Sequence, residues 1–597
     1  MKRLTTSVIA LIAARALGQV NEYTCPLLGS SFPTPSRVDA SSLQPYLSDF
    51  TRALEDALSG AENEYGVFDN ATTSFSVAIW TTVANESVYE YHFQGSELQG
   101  ESGIVPNNET IYRVGSISKA ITVYAYLASV GEAHLDEPIT KFIPELAEID
   151  AERAENASAN DIDNFQWSDI TVRALASQMG GLTRDYGLGD LPSIINDTTI
   201  LESFGLPPLS SVARPLCVPF TAGANTQCTR EEFFRGMRSR RPTFYPYSTP
   251  TYSNNAFGLL AWALEAIIND GRSFSQIQQD NLLAPLGLSN TFYHLPEDRN
   301  LTNVMIPFNA TSADWGLLGS FDDPAGSYYS SVTDLNAMGR SILRHELLPR
   351  RLSQRWLQPV SFTSDPDMAV GMPWEIFRFE VPVSPGSKAT KIVEMYSKAG
   401  DVGLYSTIMV MVPDYGIGAT VLTAGLGQGS LMRLYIVGML RDNVFPAFET
   451  LAGEDAQKVY GGTYVDSNTN SSVTVALKAD RPGLGLENWT SRGIDMQQDG
   501  QGIKGMLGST LEGDVELRLQ PTGRVDEKRN RVGFRMVPQD LKYQENFLFR
   551  CFSWASVDGL TYGLNGMDEV IFELDDEGVA KKVNLPMFQT VLERQQD

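Results

Sequence analysis

Histidine is scarce in this chain. Its 597 residues include only His92, His134, His294 and His345. None stands at the spacing of a zinc pair. "HELLP" at 345–349 begins like a zinc-protease helix but has no second histidine four residues on. No G-x-S-x-G elbow is present, which disfavours hydrolases built on Ser, Asp and His. "GLGQGS" at 425–430 fits neither the dinucleotide nor the Walker pattern, and no cofactor or metal is expected. Positive charge is also short. Lys and Arg number 46 against 72 Asp and Glu, a net charge of -26, and such a surface repels phosphate backbones and excludes nucleic acid as a partner. No apolar stretch is long enough to span a bilayer, so no membrane partner is expected.

What is there begins with "MKRLTTSVIALIAARALG". A basic start, a short apolar stretch and small residues predict a signal peptide over 1–18 and a secreted, extracellular protein. N-glycosylation sequons at Asn70, Asn85, Asn108, Asn156, Asn196, Asn300, Asn309, Asn470 and Asn488 agree with export. Four cysteines suit disulfides in an exported chain, although four residues allow three pairings. Cys217 and Cys228 are the natural local pair, and Cys25 with Cys551 would then tie the chain ends together. Free buried thiols are the alternative.

The length calls for more than one core. The pattern predicts a helix around 43–59 and two strands within 74–95. A helix follows from 116 with Gly131 as its C-terminal cap, then two buried strands around Pro413-Asp414, and a helix over 429–445. Near residue 450 the character changes to short strands and Gly/Asn/Asp turns. The expected organisation is a catalytic domain over 19–448 and a β-rich accessory domain over 449–597.

Three short elements carry the chemistry. Ser116-Ile117-Ser118-Lys119 is S-x-x-K, and residues three apart share a helix face, so Ser116 rather than Ser118 can meet Lys119. An ordinary lysine, with a pKa of about 10.4, is no base at neutral pH. Burial and a second cation lower it. By composition about one such motif is expected by chance, and a capped helix start explains it equally well. Tyr252-Ser253-Asn254 offers a phenol that can relay a proton and an amide that can donate to a carbonyl. Lys398-Ala399-Gly400 offers a second positive charge and, at Gly400, room for a substrate backbone to approach closely.

In this order the three resemble the signature of the serine β-lactamases and penicillin-binding proteins, nearest the class C β-lactamase and esterase branch and its secreted fungal β-lactamase-like members. The flanks resemble it as well: "IYRVGSISKAITVYAYLASVGEAHLDEPITKFIPEL", "ITVRALASQMGGLTRDYG" and "PAGSYYSSVTDLNAMGRSIL". The likeness covers about residues 40–445.

The resemblance implies an α/β (α+β) fold: a β-lactamase/transpeptidase-like domain, with an antiparallel sheet flanked by helices plus a helical lobe, and a C-terminal β-rich domain. It implies Ser116 as acylated nucleophile and Lys119 with Tyr252 as its base system. Asn254, Lys398, Gly400 and Asp401 would bind substrate, with the N–H groups of Ser116 and Asp401 as oxyanion donors. Two departures from the pattern stand out. Ala399 replaces the usual Thr or Ser, and Asp401 adds a carboxylate that should repel anionic substrates. They favour a small-molecule ester, lactone or amide over a β-lactam. The expectation is a serine acyl hydrolase. The alternatives are an acyltransferase or cyclising tailoring enzyme of secondary metabolism, or a catalytically silent binding protein.

Overall fold

The computed structural model describes residues 25–35, 40–61, 63–98, 104–195, 197–209, 215–217, 228–297, 299–317, 320–427, 429–507, 515–540 and 553–595. The expected signal peptide, Asn196 and Cys551 lie outside them. Two units divide the chain. One comprises Gln44–Arg378 and Glu394–Asp442. The other comprises the described parts of Met1–Leu43, Phe379–Val393 and Asn443–Asp597.

The larger unit is built on strands rich in β-branched and apolar residues. They are β1 (Thr73–Thr81), β2 (Ser87–Phe93), the short β3 (Ser361–Phe362) and β4 (Met368–Val370), β5 (Glu375–Pro382), β6 (Thr390–Val402), β7 (Tyr405–Val412) and β8 (Ile417–Gly425). They form one sheet in the order β2-β1-β8-β7-β6-β5-β4-β3. β1 and β7 are buried at every position, as strands covered on both faces must be. On one face lies helix α4 (Val332–Arg344), after α1 (Ala40–Ser59), α2 (Ser118–Val130) and α3 (Asn255–Ile268) in the chain. α1 meets the sheet through Phe50 against Tyr89, ring centroids 5.4 Å apart. The apolar residues of α2 and α3 share one core with those of α4. Gly131 ends α2 at a φ of 61°, its N–H on the Leu127 carbonyl.

Helix α5 (Gly429–Asn443) is followed by a second helix, α6 (Phe445–Tyr460), with Pro446 in its first turn. The β-rich region therefore starts at Gly462, later than the turn chemistry near 450 suggests. Its strands are β9 (Gly462–Asp466), β10 (Ser471–Leu477), β11 (Leu484–Ser491), β12 (Ile494–Asp495), β13 (Val515–Asp526), β14 (Arg531–Asp540), β15 (Glu569–Leu574), β16 (Ala580–Leu585) and β17 (Thr590–Arg594). They pair in the order β10-β9-β17-β16-β15-β14-β13-β11-β12, and a further β10–β11 pairing closes a barrel. In β10, Ser471, Val473 and Val475 point inward and alternate with half-buried residues, the period-2 pattern of a barrel wall. Tyr464, Val473, Leu486, Leu517, Phe534 and Phe572 fill its core. The closed barrel leaves no long free edge. The fold is the β-lactamase-like one that the sequence implies, with a β-barrel C-terminal domain.

Cys217 and Cys228 are disulfide-bonded, with Cα atoms 5.2 Å apart. Cys25 is also disulfide-bonded. Of the candidate glycosylation sites, Asn70, Asn85, Asn156, Asn300, Asn309, Asn470 and Asn488 are exposed and Asn108 is half-buried.

Candidate active site

Ser116 stands in a single 3-10 turn, Gly115–Ile117, that leads into α2. The i,i+3 relation survives the tighter turn, and Lys119 Nζ donates to Ser116 Oγ at 2.9 Å. Ser118 is turned inward: its Oγ donates to the Gly115 carbonyl at 2.5 Å and accepts from Tyr328 N at 3.1 Å. The turn is held on three sides. Residues Tyr112–Arg113 pair with Tyr329–Ser330. Thr407 Oγ1, from β7, donates to the Val114 carbonyl at 2.8 Å. On β6, Gly400 packs so tightly that a Cβ there would collide with the Val114 carbonyl and stand 2.7 Å from Ser116 N. The expected close approach at Gly400 is thus made by the protein's own backbone. Gly115, at a φ of 51°, answers it: a Cβ there would lie 2.7 Å from Asp401 N. The two glycines bring the backbone around Ser116 N and Asp401 N together.

Tyr252 reaches Ser116 Oγ through its hydroxyl at 2.6 Å. The "ASQMGGLTRDYG" segment cradles its loop. The Gln178 carbonyl accepts from Thr251 N at 2.8 Å, and Gln178 Oε1 accepts from Ser253 N at 2.7 Å. The Arg184 carbonyl accepts from Asn254 N at 2.7 Å. Tyr252 is therefore fixed from both sides.

Lys119 has three acceptors: Ser116 Oγ, Asn254 Oδ1 at 2.6 Å and the Ala325 carbonyl at 2.8 Å. Asn254 Nδ2 donates to Asp185 Oδ1 at 2.7 Å, which fixes the amide with its oxygen towards the lysine. Lys398 Nζ is bound by Glu375 Oε1 and by the Ala399 carbonyl at 2.9 Å, and Glu375 Oε2 accepts from Ala399 N at 3.0 Å. Three cations face the Tyr252 ring: Lys119 Nζ at 4.8 Å from the centroid, the Arg184 guanidinium at 4.8 Å and Lys398 Nζ at 5.5 Å.

The charges sort themselves by surroundings. Burial holds Lys119 below the ordinary lysine value, Tyr252 opposes that and Lys398 adds to it. Burial pushes the Tyr252 phenol up, but Lys119 and Lys398 outweigh it and leave its pKa at about 8. For Lys398 the balance falls the other way: burial depresses it, but Glu375 raises it above the ordinary value. Asp322 is fully buried, has no hydrogen-bond partner among the described residues, and is held well above the carboxylate range by burial and by Asp185. Its charged form is disfavoured there, and it acts on Lys119 through its field and not through a hydrogen bond.

Asp401 departs from expectation. Its carboxylate takes a bidentate pair from Arg433, at 2.6 and 2.9 Å, and accepts from Ser406 Oγ at 2.6 Å and Ser430 Oγ at 2.8 Å. These donors outweigh its burial and hold it below the usual carboxylate range. The charge expected to repel anions is already neutralised.

Ser116, Lys119, Tyr252, Asn254 and Lys398 are brought together, and Gly400 and Asp401 flank them. Asp185, Arg184, Glu375, Arg433 and the Ala325 carbonyl complete the array and escaped the sequence reading. Asp185 stands in a segment that the resemblance quoted, yet a single Asp in "TRDYG" has no signature. Glu375 has none at all. Chemically the arrangement presents a hydroxyl flanked by an amine and an acidified phenol, which can take its proton near neutral pH.

A family model described as Beta-lactamase matches residues 66–436, and one described as Beta-lactamase-like-like, C-terminal domain, matches residues 452–596. A beta-lactamase-like protein of Arthroderma benhamiae is 28% identical over 602 residues, covering 95% of this chain and 95% of the relative. The probable hydrolase M10 of a Phoma species is 25% identical over 507 residues, covering 82% and 77%. The D-alanyl-D-alanine-carboxypeptidase/endopeptidase AmpH of Escherichia coli is 23% identical over 339 residues, covering 54% and 74%.

Proposed function

Since the chain belongs to the beta-lactamase family of hydrolases, we propose that it is a secreted serine acyl hydrolase that forms an acyl-enzyme on Ser116 with a small ester, lactone or amide. The observation that carries this reading is Ser116 Oγ held between Lys119 Nζ at 2.9 Å and the Tyr252 hydroxyl at 2.6 Å. Ser116 Oγ attacks the substrate carbonyl carbon while its proton passes to the Tyr252 phenolate, which the nearby cations stabilise. The oxyanion takes hydrogen bonds from the N–H groups of Ser116 and Asp401. Each such donor is typically worth about 2.7–4 kcal/mol in the transition state. The carbonyl-to-leaving-group bond breaks as Tyr252 returns the proton to the departing alcohol or amine. Water then attacks the acyl-enzyme, giving its proton to Tyr252, and Ser116 leaves protonated with the acid product free.

Intact mass measurement after incubation with a fluorophosphonate probe and a panel of esters, lactones and β-lactams tests this. The wild type should gain one adduct and Ser116→Ala none; an equal adduct on both would overturn the role of Ser116. Secretion rests on the N-terminal pattern and the exposed sequons. Protein recovered from medium should lose mass on N-glycosidase treatment. Retention in cells without glycans would refute export.

A further inference from the structure

The stretch Arg184-Asp185-Tyr186 joins two features. Arg184 stacks on Tyr252, and Asp185 holds Asn254. From Asp185 and Tyr186 a cavity of about 790 Å³ begins, which contains none of the reacting groups. Half of its lining residues are leucine and proline, with Leu191, Leu201, Leu206, Leu209 and Leu216 prominent. Leu191 and Leu206 remain 43% and 38% exposed, a costly arrangement for large apolar side chains unless something covers them. The charged groups at its rim are Asp185, Asp190 and Glu202 against Arg235 and Arg240, so acids outnumber bases and the cavity does not attract an anion. Its size is that of a pocket for a drug-sized molecule.

We infer that this cavity receives a long, uncharged apolar chain of the same substrate whose carbonyl is attacked at Ser116. The inference rests on the acyl-hydrolase reading and adds the substrate class: esters with an extended hydrocarbon portion. One hydrogen-bond relay connects the two places. Asp185 accepts from Asn254 at 2.7 Å, Asn254 accepts from Lys119 at 2.6 Å, and Lys119 donates to Ser116 at 2.9 Å. On the solvent side, the exposed Arg184 side chain stacks on Tyr252 and the next residue, Asp185, lines the cavity, so ring and cavity are neighbours along one short stretch. The chain can belong to the acyl or to the alcohol half of the ester, since both are joined at that carbonyl.

The test has two arms on the full-length protein. One uses p-nitrophenyl esters of acetic, hexanoic and decanoic acid; the other uses acetate esters of ethanol, hexanol and decanol. Each buried methylene is worth up to about fourfold in kcat/KM. One arm should therefore rise by at least about a hundredfold from its shortest to its longest member. The arm that rises identifies the half that enters. In Leu206→Trp and Leu191→Asp, with circular dichroism as the check on folding, the long-to-short ratio in that arm should fall at least about tenfold. Flat profiles in both arms, or an unchanged ratio in both variants, would overturn the inference while leaving hydrolysis at Ser116 intact. The acyl-hydrolase reading fails separately, if Ser116→Ala turns over the acetyl ester as fast as the wild type. Even then, octan-1-ol should bind Ser116→Ala more tightly than ethanol by calorimetry, and Leu206→Trp should abolish the difference. Equal binding of the two alcohols would overturn the cavity's assignment by itself.

Discussion

Lys398→Met removes one cation from beside Tyr252 and keeps most of the side chain's bulk. The Lys398 ammonium lies 5.5 Å from the Tyr252 ring centroid. At an effective dielectric constant of about 20, a unit charge at that distance favours the phenolate by about 3 kcal/mol, or about two pKa units. The Tyr252 pKa of about 8 should therefore rise to about 10 in the variant. The sign follows from the role. A base whose pKa is depressed gains its active form as pH rises through that pKa, so kcat/KM of the wild type should climb through about pH 8. In Lys398→Met the climb should move upward by about two units, and the rate at pH 7 should fall about a hundredfold as the phenolate fraction drops. Glu375→Gln supplies the opposite sign. It strips Lys398 of its counter-charge, leaves the cation facing Tyr252 unopposed, and should move the midpoint below that of the wild type. The assay is the pH profile of kcat/KM on p-nitrophenyl acetate, with Lys398→Arg as the conservative control. Loss of rate in Lys398→Met with the midpoint still near 8 would refute Tyr252 as the group tuned by Lys398.

Asp185→Ala leaves Asn254 Nδ2 without its carboxylate acceptor and frees the amide to rotate. A lost hydrogen bond to a charged group is worth about 1.5–3 kcal/mol, so kcat should fall about tenfold to a hundredfold by steady-state assay. A change in KM alone would show that Asn254 does not need fixing. Cys217→Ser with Cys228→Ser opens a loop of sequence separation 11. The chain-entropy estimate for its closure is about 3 kcal/mol, and limited proteolysis should cut near residue 217 faster in the variant. Equal cleavage rates would show the bond to be dispensable there. Ala399→Thr restores the hydroxyl of the usual family pattern and should raise nitrocefin acylation relative to acetyl ester turnover. An unchanged ratio would show that the hydroxyl is not what limits β-lactams.

Legibility in the sequence followed distance along the chain. Ser116 and Lys119 were readable because a helical turn dictates their meeting, and the 3-10 start of α2 did not alter that. The buried strands β7 and β8 were readable from apolar runs around Pro413-Asp414. Helix α6 was not, because its Gly453 and charged residues resemble the turns that follow it. The partners that set the charges were also hidden. Glu375 reaches Lys398 across 23 residues through strand pairing, and Asp185 reaches Asn254 across 69 through a loop cradle. No local pattern encodes a carboxylate placed by tertiary structure. Arg433 reads as one more polar residue of helix α5, and only the fold places it on Asp401.

Those hidden partners move the argument about substrate charge from one residue to another. Asp401, the acidic departure from the family pattern, pairs with Arg433, Ser406 and Ser430, so repulsion by its carboxylate is a weak basis for excluding anions. The stronger basis is Lys398. A substrate carboxylate bound beside Lys398 would have to displace or share the ammonium that Glu375 and the Ala399 carbonyl already hold. Displacing Glu375 leaves a partly buried carboxylate without its ammonium, which offsets part of what the substrate carboxylate would gain. Ala399 offers no hydroxyl in its place. A neutral substrate avoids that cost and still benefits from the field of Lys398 on Tyr252. Glu375 thus makes Lys398 a tuning charge for the phenol and not an anchor for a carboxylate. On this reasoning Glu375→Gln should improve kcat/KM for a carboxylate-bearing ester relative to its methyl-capped counterpart. A ratio that stays at the wild-type value would return the discrimination to Asp401.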